Sequence, residues 1–209
     1  MSKKAAIPLK NKPIAKKVLA KKAIVPKKKQ LTIMVSSTVY DAESDLDQIA
    51  AILSQQFGYK VIMSKNGSIY VSMKNISNTK AACLQAVKDC DLFLGIIFPR
   101  YGSGITHDEF LEAKRLDKPR WFIAHEKIEF LRKLLQPKMY TKGGKRTTFS
   151  IPKTTVLDNI KVVDMYNDVR ANWVQSFSNM NEVKTFIETQ FGDMKQRIKE
   201  LEEIKKMKK

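Results

Sequence analysis

The sequence predicts an α/β fold, a parallel sheet with helices on both faces, preceded by a disordered basic N-terminal tail. Three observations carry this. Apolar runs alternate with stretches of helical periodicity from residue 31 onward. One run, DLFLGIIF at 91–98, is apolar almost throughout, as in a central parallel strand buried on both faces. The charge sits at the ends: residues 1–30 hold 11 lysines and no acid, and the last fifteen residues hold 7 bases and 3 acids. That leaves 21 bases and 18 acids over 31–194, a nearly neutral body within a chain of net charge +18.

The elements follow in order. Residues 1–30 combine Lys-Lys pairs, alanine, and prolines at Pro8, Pro13 and Pro26. Such a segment buries too little apolar surface to offset its ordering entropy. Its charge suits nonspecific binding of nucleic acid or an anionic surface, and the alternatives are a solvated linker or a targeting signal, Pro26-Lys27-Lys28-Lys29 resembling a nuclear-import patch. LTIMVSS (31–37) reads as the first strand. Leu46, Ile49, Ala50, Leu53 and Phe57 recur at spacings of three and four, predicting a helix over 41–57. Asp41 stands at its N-cap position and Gly58 at its C-cap. YKVIMS (59–64) reads as a second strand, 78–90 as a helix, and 91–98 as the third strand. A helix over 106–117, a strand over 119–126 and a helix over 126–135 come next. Pro137, Gly143, Gly144 and Pro152 mark 136–155 as an exposed loop. IKVVDMYN (160–167) reads as a fifth strand, and 181–209 as one helix with Val183, Phe186, Ile187 and Phe191 on a face. Its charged end is a solvated helix or a surface for self-association or a partner protein. The expected organisation is a tail over 1–30, an α/β domain over 31–192 and a charged extension over 193–209.

Composition excludes several classes. Apolar runs fall far short of the ~20 residues that span a bilayer. Cys83 and Cys90, without a secretory leader, suit reduced, buried thiols in a cytoplasmic protein. No Cys/His spacing suggests a metal, and no GxGxxG, phosphate-loop, HExxH or GxSxG pattern is present. No metal and no cofactor are expected.

Parallel sheets bind ligands beyond the carboxyl ends of their strands, where the strand order reverses. That rule selects the loops after strands one, three and four. Ser36, Ser37 and Thr38 precede a helix N-terminus, where hydroxyls and free N–H groups hold a phosphate or base edge, or simply cap the helix. In the second loop Gly102 and Gly104 permit tight turning beside Arg100 and Tyr101. Thr106 stands as N-cap with Glu109 three residues on, a capping-box spacing. Glu109 therefore has two readings: it closes the helix start, or its carboxylate faces the crevice. His107 reads as an exposed loop histidine, or as a group titrating next to two carboxylates, Asp108 and Glu109.

The segments IMVSSTVYDAESDLDQI and DLFLGIIFPRYGSGITHDEFLEAKRLDKPRWF resemble a family catalogued as a domain of unknown function, as do the later VVDMYND and NWVQSF. That family carries a VSSTxxD start and an RYG…TxxExxxA…KP block. It often stands at the N-terminus of STAND-type NTPases with regulatory or immune roles. Here Asp45-Leu46-Asp47 replaces a frequent Glu-Arg. The family in turn resembles nucleoside 2-deoxyribosyltransferases and, more distantly, TIR domains. Thr106, Glu109, Ala113 and Lys118-Pro119 keep the transferase spacing, with Ile105 where a glycine is usual.

The resemblance implies a flavodoxin-like or nucleoside-deoxyribosyltransferase-like fold. It also implies a nucleotide or nucleoside ligand and Glu109 as the catalytic carboxylate of an N-glycosidase, NADase or deoxyribosyltransferase-like enzyme. Ser36, Ser37, Thr38, Arg100, Tyr101 and Thr106 would then bind substrate. The alternative is a non-catalytic interaction module of a regulatory or STAND-type system.

Overall fold

The computed structural model describes residues 30–39, 42–64, 69, 71 and 78–207. Almost all of the basic tail lies outside the described residues, as does Asp41, the expected N-cap. The elements are β1 (Thr32–Ser37), α1 (Glu43–Ala51), β2 (Lys60–Met63), α2 (Thr79–Asp89), β3 (Leu92–Ile97) and α3 (Ile105–Arg115). They continue with β4 (Arg120–His125), α4 (Glu126–Met139), α5 (Lys161–Val169), β5 (Val174–Phe177), α6 (Met180–Phe191) and α7 (Met194–Met207). The last turns of the first helix widen into a π-helix over Ile52–Gln56, closed at Gly58 with φ +71°.

The strands form one sheet in the order β2-β1-β3-β4-β5, every pair parallel. This is the flavodoxin-like order. β3 is the middle strand, and its alternation divides the core. Leu92, Leu94, Ile96 and Phe98 face α1 and α6; Phe93 and Ile97 face α2 to α5. Both sets are buried, which is why the run carries no polar residue. At Gly95 a Cβ would stand 2.6 Å from the Phe122 ring and 2.9 Å from the Phe110 ring. The missing side chain lets Phe93, Phe110 and Phe122 meet mutually at 5.2 to 6.2 Å between centroids.

Three expectations are corrected. Residues 160–167 are not a strand: Lys161–Val169 is α5, and the fifth strand is Val174–Phe177. Val162, Val163, Met165, Tyr166 and Val169 are buried, a helical stripe that β-branched composition had disguised. Pro137 stands inside α4 instead of opening a loop. Buried Leu135 and Met139 straddle it, and their packing holds the last turn despite the lost N–H. The final helical stretch breaks into two at Gly192. The Tyr59 hydroxyl donates to Phe191 O at 2.7 Å and Arg197 Nη1 to Gln190 O at 2.9 Å, so side chains occupy the last carbonyls of α6.

Candidate functional site

Between β1 and β3 the strand order reverses, and the loops leaving both strands part to form a cleft of about 440 Å³. Ser37, Thr38 and Val39 leave β1, Ser64 follows β2, and Tyr101 and Ser103 leave β3. Thr79 and Cys83 of α2, Glu43 of α1 and Ile105 and Thr106 of α3 complete the described wall. Thr38 Oγ1 donates to the Arg100 carbonyl at 3.1 Å and ties the two loops together.

Glu109 lies behind this wall, 0% exposed. The start of α3 explains its direction. Gly104, at φ +83°, is the N-cap, two residues earlier than the expected Thr106. Thr106 is thus inside the helix, 7% exposed and on the cleft wall. The capping-box reading of Glu109 is corrected accordingly: its carboxyl turns inward, away from the helix start. Ser36 Oγ donates to Oε2, and Ser64 Oγ donates to Oε1 at 2.6 Å. Burial pushes the Glu109 pKa up; hydrogen bonds from Ser36, Ser64 and Cys83 oppose it. Burial and then the carboxylate beside it push the Cys83 thiol up to about 11, so it is not a thiolate.

The loop after β3 is pinned from outside. Both oxygens of Asp158 accept from Tyr101 N–H, at 3.0 and 3.1 Å, and one accepts from Gly102 N–H at 2.8 Å. A Cβ on Gly104 would stand 3.1 Å from the Tyr101 ring and hydroxyl, so a side chain there would crowd the phenol as well as adopt a φ that favours glycine. Tyr101 OH meets His107 Nδ1 at 3.2 Å, and His107 Nε2 meets Asp168 Oδ2 at 2.8 Å. His107 is therefore not the exposed loop histidine of the first reading; its side chain is 14% exposed.

Of the residues expected to form the site, the structure brings Ser37, Thr38, Tyr101 and Thr106 to the cleft, with Ser36 and Glu109 immediately behind it. Arg100 is not among them. It lines a separate hollow with Phe98, Pro99, His125 and Val156. Sequence reasoning missed Ser64, Glu43 and Thr79, and also Asp158 and Asp168. Ser64 had a signal, since it stands at the carboxyl end of a strand. Asp158 borders and Asp168 follows the segment misread as a strand. Among the described residues no group of three or more His, Cys, Asp or Glu side chains is placed to hold a metal, and no helix is long and apolar enough to cross a membrane.

Fold and cleft define a parallel α/β domain with its candidate site at the switch point. Residues 32–192 match the family described as "Domain of unknown function (DUF4062)", and the chain belongs to that family. No curated protein matches it. Among solved structures it is similar to TIR domains of the activated Roq1 resistosome, a structure described as directly recognizing the pathogen effector XopQ. That likeness has 11% identity and a TM-score of 0.41 over 68% of this chain and 72% of that one. It is also similar to a conserved protein from Enterococcus faecalis V583, with 15% identity and a TM-score of 0.39 over 77% of this chain and 99% of that one. At these scores neither likeness speaks to function.

Proposed function

We propose that the cleft binds a nucleoside or nucleotide and cleaves its N-glycosidic bond. One observation carries this: a buried carboxyl, Glu109, stands behind the switch-point cleft and is linked to it by the Ser64 hydroxyl. Breaking a C1′–N bond leaves positive charge on the sugar. A carboxylate in a water-poor wall acts on that charge far more strongly than one in water. With serine hydroxyls on both its oxygens, Glu109 works through its field and through Ser64. Ser37 and Thr38 would hold base or phosphate, and Tyr101 would line the sugar or base pocket. The setting is a cytoplasmic signalling or defence domain, as the resemblance to domains preceding STAND-type NTPases implies.

The test incubates the purified full chain and Glu109→Gln with NAD and with nucleosides and follows released base. Turnover should fall on the order of a hundredfold in the variant. An equally active variant would remove Glu109 from the reaction.

A second reading, a non-catalytic interaction module, has its own observation. Phe130 and Leu134 stand one turn apart on α4, 69% and 59% exposed. In that case wild type and variant are both inert, while Phe130→Ser with Leu134→Ser abolishes association.

A further inference from the structure

Resting on the reading of the cleft as a glycosidase site, we infer that Tyr101 donates the proton to the departing base, positioned by His107 and Asp168. The substrate class follows: nucleosides whose base leaves only when protonated.

The geometry is a three-residue relay ending at the cleft. Tyr101 comes from the loop after β3, His107 from α3 and Asp168 from α5. The contacts run phenol oxygen to Nδ1 at 3.2 Å and Nε2 to Oδ2 at 2.8 Å. The segments that carry Tyr101 and Asp168 are also held by contacts outside the line. Asp158 grips the Tyr101 and Gly102 N–H groups, Gly104 leaves the space the phenol fills, and Lys114 Nζ donates to the Asp168 carbonyl. Of the three, Tyr101 alone lines the described cleft wall; the His107 side chain is 14% exposed and that of Asp168 is 47% exposed. The order, a hydroxyl at the site backed by imidazole and then carboxylate, is the arrangement that moves protons in acyl-transfer triads. The charged groups near it are Asp164 and Asp168 from α5, Asp108 and Lys114 from α3, and Asp158 from the loop.

The chemistry balances without a further reagent. With a proton on both nitrogens, His107 donates Nδ1–H to the phenol oxygen and Nε2–H to Asp168, and the phenol proton is free to face the cleft. As the C1′–N bond breaks, its electron pair goes to the base and the phenol proton goes to a base nitrogen. Water adds to C1′, and its surplus proton restores the phenol. A purine or pyrimidine otherwise departs as an anion and needs this donor. A pyridinium base such as nicotinamide departs neutral and does not. The described wall also carries Glu43 and no lysine or arginine, which suits an uncharged nucleoside better than a phosphorylated one.

The experiment compares two substrates on the full chain: inosine, whose base needs the proton, and 4-nitrophenyl riboside, whose nitrophenolate leaves without one. Tyr101→Phe should lower kcat on inosine about 100-fold or more. Its loss on the nitrophenyl riboside should be smaller by about tenfold or more. His107→Gln and Asp168→Asn should show the same bias to a lesser degree. Equal losses on both substrates, or none, would overturn the relay. Glu109→Gln separates the two ideas, because it acts on the sugar cation common to both substrates and should lower both rates alike. If it lowers neither, the role of Glu109 falls while the Tyr101 comparison still judges the relay. A wild type inert toward both substrates overturns both.

Discussion

At the residue scale, opposing influences meet on Glu109. Burial raises its pKa most; the hydrogen bonds to Ser36, Ser64 and Cys83 lower it; the charge of Asp108 raises it again. The net result stands above the ordinary value of 4.5, so the folded state holds this proton more tightly than the unfolded chain does. Its contribution to stability is therefore fullest below 4.5 and is lost as pH rises through the folded-state value. Glu109→Gln does not titrate. The melting temperature of the variant minus that of wild type should rise with pH across that window; a flat difference in paired melts would contradict the burial argument. Gly104 makes a second prediction. Alanine there must adopt φ +83° and also meets the Tyr101 ring. Gly104→Ala should cost about 1–2 kcal/mol in denaturant unfolding, and the displaced phenol should lower nucleoside turnover as well.

At the element scale the central strand is the sensitive one. Gly95 lies where Phe110 and Phe122 close over β3, and a side chain there meets ring atoms inside 3 Å. Gly95→Val should destabilise by about 1–3 kcal/mol or more, despite valine's higher strand propensity, because overpacking outweighs propensity in a filled core. An unchanged urea midpoint would show that the rings yield. The same strand was the most legible part of the sequence, since a run buried on both faces leaves no room for polar residues. Lys161–Val169 was the least legible. Its valines favour strands locally, yet its apolar spacing of one, two, one and three fits a helical stripe packed on α3 and α4.

At the scale of the whole molecule, the ends raise separate questions. We propose that residues 1–30 act as a polyanion-binding tail and 193–209 as an extension. The full chain should bind nucleic acid with steep salt dependence and little sequence preference. A chain beginning at residue 30 should keep its fold and lose that binding; retained affinity at moderate salt would contradict the tail's role. At the other end Met194 is 2% exposed and belongs to the core beside Phe191. Truncation after Gly192 should therefore cost about 2–5 kcal/mol in stability, whereas truncation after residue 199 should cost little by the same measurement.

The sequence by itself determined the alternation of strands and helices through β4, the parallel sheet, β3 as its buried middle strand, and the carboxyl-end loops as the place to look. All of these depend on local periodicity or on a rule of connection. Only the tertiary structure decided that Glu109 turns inward, that Ser64 joins it from 45 residues away, and that Tyr101, His107 and Asp168 form a line. It likewise set Arg100 apart from the cleft. Those outcomes depend on where α3 begins and on which distant carboxylates its loop meets. Spacing along the chain carries no record of contacts made across it.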